Sequence, residues 1–300
     1  MPIVKRALAI SIVIATLAYF TFYLNTHPEL LATLARLDPV TLLLLAVGYM
    51  LITLINAVIL HHSLRFIGKR VPLLDNITLT GYSSIVNFFG PLQSGPGFRA
   101  VYLKKKYAVK LRSFLTTTLI FYGFFALINV VLLALASLLT FGSLGFYIFF
   151  IPACIALFVI AAIIINKVER VRLAVRAIKL NDKNFWLIGF GALTLTFVTA
   201  ATYFVEVHHV DTGVSIFQVI IYTAAANLAL FVSLTPGAIG IRESFLMLSQ
   251  QLHGIDTSVI VGASVIDRAF YVGFLAILFL TLLLVNGRKH LAVFQLKKRE

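Results

Sequence analysis

Long apolar runs separated by short basic segments make up most of the chain. Six of these runs are long enough to cross a hydrocarbon core of about 30 Å as α-helices. They cover residues 7–24, 40–60, 113–140, 146–166, 185–205 and 258–285. Asp38-Pro39 precedes the second run and supplies an acidic N-cap followed by a proline, which the first helical position accepts. The pattern predicts an all-α, polytopic membrane helix bundle in one integral membrane domain, residues 1–300.

Two further apolar segments, about 74–98 and 214–252, are interrupted by proline and glycine. The first contains "NFFGPLQSGPGFR" (87–99), and the second contains "TPGAIGIRE" (235–243). Lipid cannot hydrogen-bond to the backbone of such a break, so non-helical backbone at membrane depth must be buried in protein or line a wet cavity. The charge distribution places both ends of each segment on the same side of the membrane, so each is predicted to be a re-entrant hairpin made of a broken helix.

Lysine and arginine lie almost entirely on one side of this topology. If the N-terminus is cytoplasmic, 22 of the 25 Lys and Arg residues fall in cytoplasmic segments, as the positive-inside rule requires. This distribution predicts a multi-pass plasma-membrane protein with both termini in the cytoplasm. The first hairpin then enters the membrane from the cytoplasm and the second from the outside.

The two broken segments occupy corresponding positions in two halves of the chain. Each follows a span, contains a break and an arginine (Arg99, Arg242), and continues into another span. The first unit, about 40–140, and the second, about 185–285, have opposite orientations. Inverted-topology repeats with broken helices are the organisation of many secondary transporters, whose substrate site lies near the bilayer midplane.

Composition supports the membrane class and narrows the partners. The chain is 60% hydrophobic and only 12% charged, with a mean hydropathy of +1.00, which excludes an ordinary soluble domain. A net charge of +14 would suit nucleic acid. The basic residues lie in short segments between helices, however, and the positive-inside rule explains them without a nucleic-acid partner.

The breaks carry the candidate chemistry. A helix that restarts inside the membrane exposes unpaired N–H groups and the positive end of its dipole. The first break carries Pro91, Gly95, Gly97 and Arg99, with the restart expected at Gly97-Phe98 and Arg99 in its first turn. The second carries Pro236, Gly237, Gly240, Arg242 and Glu243, with the restart expected at Gly240-Ile241.

Two helix starts with arginines form an anion site, and the obvious anion in a membrane is a lipid phosphate. The alternative is that each Pro/Gly pair only shapes a turn. In that case Arg99 reaches the cytoplasmic headgroups as one more inside charge, and Glu243 neutralises Arg242 structurally.

The last span contains two adjacent charges, Asp267 and Arg268. Charges at that depth cost several kcal/mol unless they face partners or water. Neighbouring residues on a helix point apart, so we expect one of the two to pair with Glu243 or Arg242. Tyr271 shares a helical face with Arg268. The group serves either as a functional or gating element or as a structural lock.

Other polar residues are weaker candidates. "EVHHVD" (206–211) contains metal-ligand residue types but is predicted to be a hydrated outer loop. Asn87, Asn129 and Asn227 are predicted to form interhelical hydrogen bonds. No Ser/His/Asp set, Cys/His set or pair of acids shares a locus, so neither an enzyme, a metal site nor a cofactor is predicted.

Two stretches, "PLQSGPGFRAVYLKKKYAV" (91–109) and "SLTPGAIGIRESFLMLSQQLHGIDTSVIVGASVIDRAFYVGF" (233–274), together resemble one family. It is the lysylphosphatidylglycerol synthase transmembrane-region family, flippase-like integral membrane proteins that include the membrane part of multiple peptide resistance factor. The resemblance extends over nearly the whole chain. It places the first family motif on Pro91, Gly97 and Arg99, and the second on Pro236, Gly237, Gly240, Glu243 and Arg268.

The chain departs from the family pattern in its first half. Phe98 replaces a usual acidic residue, and Phe121-Tyr122 replaces a usual Glu-Arg pair, so part of an ionic pair is expected to be missing there. The sequence contains no soluble synthase domain, and the resemblance therefore implies lipid handling or translocation rather than lipid synthesis.

The expected function is translocation of an anionic phospholipid or lipid-linked precursor, bound between the two hairpins. A homo-oligomer is a further candidate assembly. One alternative is a membrane enzyme that acts on a lipid headgroup. Another is a non-catalytic membrane partner in a glycolipid or cell-envelope pathway.

Overall fold

The computed structural model describes residues 22, 25–26, 32–33, 35–90, 94–145, 169–176, 178–232, 238 and 240–296. The predicted span 146–166, nearly all of the predicted span 7–24, and Pro91, Pro236 and Gly237 lie outside these residues. Every regular element within them is a helix, which confirms the all-α class.

The helices in chain order are α1 (Pro39–Phe66), α2 (Leu73–Phe89), α3 (Ser94–Tyr107), α4 (Leu111–Gly145), α5 (Glu169–Arg176), α6 (Lys183–Val210), α7 (Ile216–Ala229), α8 (Ile241–Leu248), α9 (Gln250–His253) and α10 (Thr257–Leu296). Among the described residues, four stretches are long and apolar enough to cross a membrane. They are α1, α6, Leu111–Leu139 of α4 and Thr257–Leu284 of α10. Four of the six predicted spans are thereby confirmed by length and composition.

Helix α1 begins where the sequence predicts. The Asp38 carboxylate accepts hydrogen bonds from the backbone N–H groups of Val40 and Thr41, both at 3.0 Å, and Pro39 occupies the first turn. These bonds satisfy donors that a helix start leaves unpaired. Hydrogen bonds from the Thr41 hydroxyl and these N–H groups favour the ionised carboxylate and lower the pKa of Asp38.

Glycine contacts hold α1 against α6. A Cβ atom at Gly48 would overlap the hydroxyl of Thr202, and one at Gly191 would lie 2.6 Å from Cγ1 of Ile59. In membranes, small residues let helix backbones approach closely enough for van der Waals packing to hold them together. Gly48 precedes Tyr49, so this contact also positions Tyr49 against the facing side chains of α6.

The first broken segment folds into a helical hairpin. Helix α2 ends at Phe89, and α3 begins at Ser94 and packs back along α2. At the tip, the Ser94 hydroxyl donates to the carbonyl oxygen of Val86 at 3.1 Å, and the N–H of Gly95 donates to Oδ1 of Asn87 at 3.2 Å. At the open end, Nζ of Lys106 lies 2.6 Å from Oδ2 of Asp75. The chain therefore leaves near the point where it entered.

The second broken segment forms a comparable hairpin from α7, a 3₁₀ turn at Leu230–Val232, α8 and α9. Ser215 and Gln218 form a capping box at its start, and Nε2 of Gln218 donates to the carbonyl oxygen of Gly254 at its end, at 3.4 Å. Asn227 Nδ2 donates to Asn129 Oδ1 at 3.0 Å and links α7 to α4. This bond confirms the predicted interhelical role of both asparagines.

Candidate functional site

The second hairpin restarts as a helix where the sequence predicts. Gly240 caps α8 with a φ of +81°, a left-handed conformation that favours glycine. Its N–H donates to Oε2 of Glu243 at 2.8 Å. Arg242 and Glu243 therefore lie in the first turn of α8 and project toward α10.

Replacing Gly240 with alanine is expected to lower the free energy of unfolding by about 1–2 kcal/mol, because an L-residue is strained in the left-handed region. No atom lies within 4 Å of a Cβ built at Gly240, so the cost comes from the backbone alone. Thermal unfolding in detergent measures it.

Gly68 supplies the matched control, because it has a φ of +72° and equally open surroundings, on the chain just after α1. Gly68→Ala should cost a similar amount of stability, because it places an L-residue in the same left-handed region. An unchanged unfolding midpoint in Gly240→Ala would show that the left-handed cap does not hold the start of α8.

Arg242, Glu243, Asp267 and Arg268 form a group that we call the charge quartet. Nη2 of Arg242 lies 2.5 Å from Oδ2 of Asp267, and Nη2 of Arg268 forms an ion pair with Oε1 of Glu243. Nε of Arg242 also lies 3.7 Å from the same Glu243 oxygen. The prediction that a charge of the last span pairs with the second hairpin is confirmed, and both charges do so. Two cations and two carboxylates make the quartet neutral.

Three side chains that the sequence reasoning did not select complete this cluster. The Tyr203 hydroxyl accepts from Nη1 of Arg242 at 3.1 Å. The Tyr49 hydroxyl is hydrogen-bonded to Oδ1 of Asp267 and lies 3.0 Å from Oε1 of Glu206. Glu206 is only 2% exposed. The cluster therefore holds three carboxylates but two guanidinium groups.

The prediction of a hydrated outer loop at residues 206–211 is wrong. Helix α6 continues to Val210, so Glu206 lies inside the bundle and His208 stacks on Phe204. Only Asp211 lies beyond the helix, at its C-cap. The signal was available, because the turn-forming residues start at Asp211 and Glu206 shares a helical face with Tyr203, three residues earlier.

The predicted restart of the first hairpin at Gly97-Phe98 is also wrong. Helix α3 already includes Ser94 and Gly95, which are hydrogen-bonded to α2. Arg99 is consequently in the second turn, away from the exposed N–H groups of the helix start. Gly95 is buried against α2, and Gly97 is exposed with open space around it.

Arg99 lacks a counter-charge within the described part of the chain. Its Nε is buried without a hydrogen-bond partner, and no described carboxylate forms an ion pair with it. The guanidinium interacts electrostatically with the phenol groups of Tyr122 and Tyr271. Tyr122 is one of the two residues at which the first half departs from the expected Glu-Arg pair.

Tyr271 connects Arg99 to the charge quartet. Its ring centroid lies 5.0 Å from that of Tyr49, which is bonded to Asp267, and 5.4 Å from that of Phe88 on α2. Tyr271 also interacts electrostatically with Arg99. The structure thus brings together six predicted residues from α3, α8 and α10: Arg99, Arg242, Glu243, Asp267, Arg268 and Tyr271. It does not bring Gly95 or Gly97 into this cluster.

No group of three or more His, Cys, Asp and Glu side chains that could hold a metal ion occurs among the described residues. A family model described as "Lysylphosphatidylglycerol synthase TM region" matches residues 6–279. No curated protein and no solved structure gives a significant match.

Proposed function

The chain belongs to the lysylphosphatidylglycerol synthase transmembrane-region family, and on that premise we propose that it binds an anionic phospholipid or lipid-linked precursor and moves it between membrane leaflets. The lipid headgroup binds between the two hairpins, with its phosphate on Arg99. No cofactor takes part in this proposal.

The observation that carries the proposal is the uncompensated charge of Arg99. Arg99 is half-buried and its Nε is out of contact with water, and a cation partly withdrawn from water is stabilised when an anion accompanies it. Tyrosine hydroxyls accept hydrogen bonds from a guanidinium but leave its charge in place. A phosphate group supplies both the negative charge and the paired oxygens that match the planar donor fork of arginine.

The other two arginines play a different part. Arg242 and Arg268 are already neutralised by Asp267 and Glu243, so a headgroup must break an ion pair to reach them. We therefore assign first contact with the lipid to Arg99 and the role of a gate to the charge quartet. The Tyr271–Tyr49 contact lies on the route from one to the other.

The proposed setting is the plasma membrane, with both termini cytoplasmic and the hairpins re-entrant from opposite sides. The proximity of the two ends in each hairpin, at Asp75 with Lys106 and at Gln218 with Gly254, supports re-entry. The match between the two hairpins in element order supports an inverted repeat of about 40–140 and 185–285, which translocates lipid by alternating exposure of one central site.

Lipid capture tests the proposal. The protein is purified in nanodiscs made from a mixed lipid extract, and the retained lipids are identified by mass spectrometry. We expect one anionic class to be enriched, and we expect Arg99→Gln to weaken its binding about 10- to 100-fold, because charge-assisted hydrogen bonds contribute about 1.5–3 kcal/mol.

Arg70→Gln is the matched control, because it removes the same charge and makes the same replacement of side chain. Arg70 is exposed and lies just after the end of α1. This variant should leave lipid retention unchanged. Enrichment of no anionic lipid, or equal enrichment in wild type and Arg99→Gln, would overturn the proposal and favour a non-catalytic membrane partner.

A further inference from the structure

The hydroxyl of Tyr49 lies between two carboxylates. It is hydrogen-bonded to Oδ1 of Asp267 and lies 3.0 Å from Oε1 of Glu206. A phenol has one proton to donate. If Asp267 and Glu206 were both ionised, the phenol could donate its proton to only one of them. The Tyr49 oxygen and the other carboxylate oxygen would then be two acceptors in contact without a hydrogen atom between them. A proton on Glu206 removes this conflict.

Charge balance points to the same proton. Asp267 is neutralised by Arg242, whereas Glu206 has no ion-pair partner among the residues that the structure describes. The groups that face Glu206 from the surrounding elements are Tyr49 of α1, Tyr203 of α6, Tyr222 of α7, Arg242 of α8 and Asp267 of α10. An ionised Glu206 would give the quartet and its neighbours a net charge of −1 in a buried site, and a protonated one makes them neutral.

We propose that Glu206 is a proton-binding site and that its proton is the coupling ion of lipid translocation. The carboxylic acid of Glu206 donates to the Tyr49 oxygen, Tyr49 donates to Asp267, and Asp267 accepts from Arg242. Each of these donors and acceptors then has a partner. The proton site rests on the hydrogen-bond geometry, and only its coupling role rests on the proposed function.

The chain of hydrogen bonds from Glu206 through Tyr49 to Asp267 suggests how an anion and a proton move together. When a headgroup phosphate engages Arg242, Asp267 loses its cation. Tyr49 then passes its proton to Asp267 and receives the proton of Glu206, and Glu206 takes up one proton from the aqueous phase. One monoanion and one proton have entered, so the site stays neutral in both states. Transport is consequently electroneutral for a singly charged lipid.

Infrared spectroscopy tests the proton site without reference to transport. The wild-type protein, in an ester-free detergent at neutral pH, should show the carbonyl stretch of a protonated carboxylic acid. Glu206→Gln should remove this band. Tyr49→Phe, which keeps the acid but deletes its partner, should shift the band to higher frequency. Absence of the band in wild type, or its survival unchanged in a folded, monodisperse Glu206→Gln, would overturn the proton site.

Proteoliposomes with a fluorescent anionic phospholipid test the coupling. With one proton per lipid, each unit of pH difference should shift the equilibrium distribution between leaflets about tenfold. Membrane potential should have no effect, and Glu206→Gln should abolish the response to pH. If wild-type protein moves the lipid but its distribution between leaflets does not depend on the pH gradient, the proposed coupling is overturned. If wild type moves no lipid, the proposed translocation and its coupling both fail, and the infrared band still decides the proton site.

Discussion

Asp267→Asn is expected to lower the free energy of unfolding by about 3–5 kcal/mol, the cost of leaving a buried charge without its partner. Arg242 is 8% exposed and Asp267 is 9% exposed, so water reaches neither well. The substitution strands the guanidinium of Arg242, and Glu243, at 3.7 Å from Arg242 Nε, is already paired with Arg268. Thermal and chemical unfolding in detergent measure the loss.

Asp75→Asn is the matched control for this prediction. Asp75→Asn also leaves a cation without its carboxylate, but that cation, Lys106, is 48% exposed, whereas Asp75 is 17% exposed. Water therefore solvates the ammonium group after the substitution, and the amide oxygen of asparagine still accepts the hydrogen bond that the Tyr107 hydroxyl donates to Asp75. Pairs with an exposed partner contribute about 0–1 kcal/mol, so this variant should lose much less stability than Asp267→Asn. Similar losses in the two variants would show that burial does not determine the strength of the Arg242–Asp267 pair.

The double variant Arg242→Gln with Asp267→Asn distinguishes an ion pair from general damage. Removing both charges leaves no uncompensated ion, so much of the stability lost in Asp267→Asn should return. If the losses of the single variants simply add, the two residues stabilise the fold independently, contrary to the charge quartet.

Local patterns predict the parts of this fold that depend on local physics. The four confirmed spans follow from runs of apolar residues, because a membrane helix satisfies its own backbone hydrogen bonds and needs only apolar side chains around it. The start of α1 follows from Asp38-Pro39, and the start of α8 follows from Gly240. In each case the residues that determine the structure are adjacent in the chain.

Local sequence patterns do not predict the cluster around Tyr49. Tyr49 meets Glu206 across 157 residues and Asp267 across 218 residues. A single tyrosine within an apolar span has no sequence feature that distinguishes it from other membrane-embedded residues. Its partners depend on the Gly48–Thr202 contact between α1 and α6, which is a feature of tertiary packing.

The misplaced start of α3 has a related cause. The glycines and proline before Arg99 permit several helix starts, and local geometry does not choose among them. The choice is made by Val86 and Asn87 of α2, which accept hydrogen bonds from Ser94 and Gly95 once the hairpin has closed. Arg99 consequently lies beyond the first turn of α3.

Gly95→Ala and Gly97→Ala are expected to change stability in opposite directions, although both place the same methyl group on α3. A Cβ at Gly95 would lie 2.8 Å from the Ser83 carbonyl oxygen and 2.9 Å from Cβ of Asn87, so α3 must move away from α2. Such overpacking costs about 1–3 kcal/mol. A Cβ at Gly97 meets no atom within 4 Å, and alanine there should gain up to about 1 kcal/mol from helix propensity.

The same pair of variants separates packing from ligand approach at the first break. If Gly95 only allows the hairpin to close, Gly95→Ala should also lower lipid retention, because the displaced helix carries Arg99 out of position. Gly97→Ala should bind lipid as wild type does. Loss of lipid in Gly97→Ala at full stability would instead place the headgroup against the backbone of α3, at the exposed face where Gly97 lies. Stability and lipid retention that are unchanged in Gly95→Ala would contradict the close α2–α3 contact on which the position of Arg99 depends.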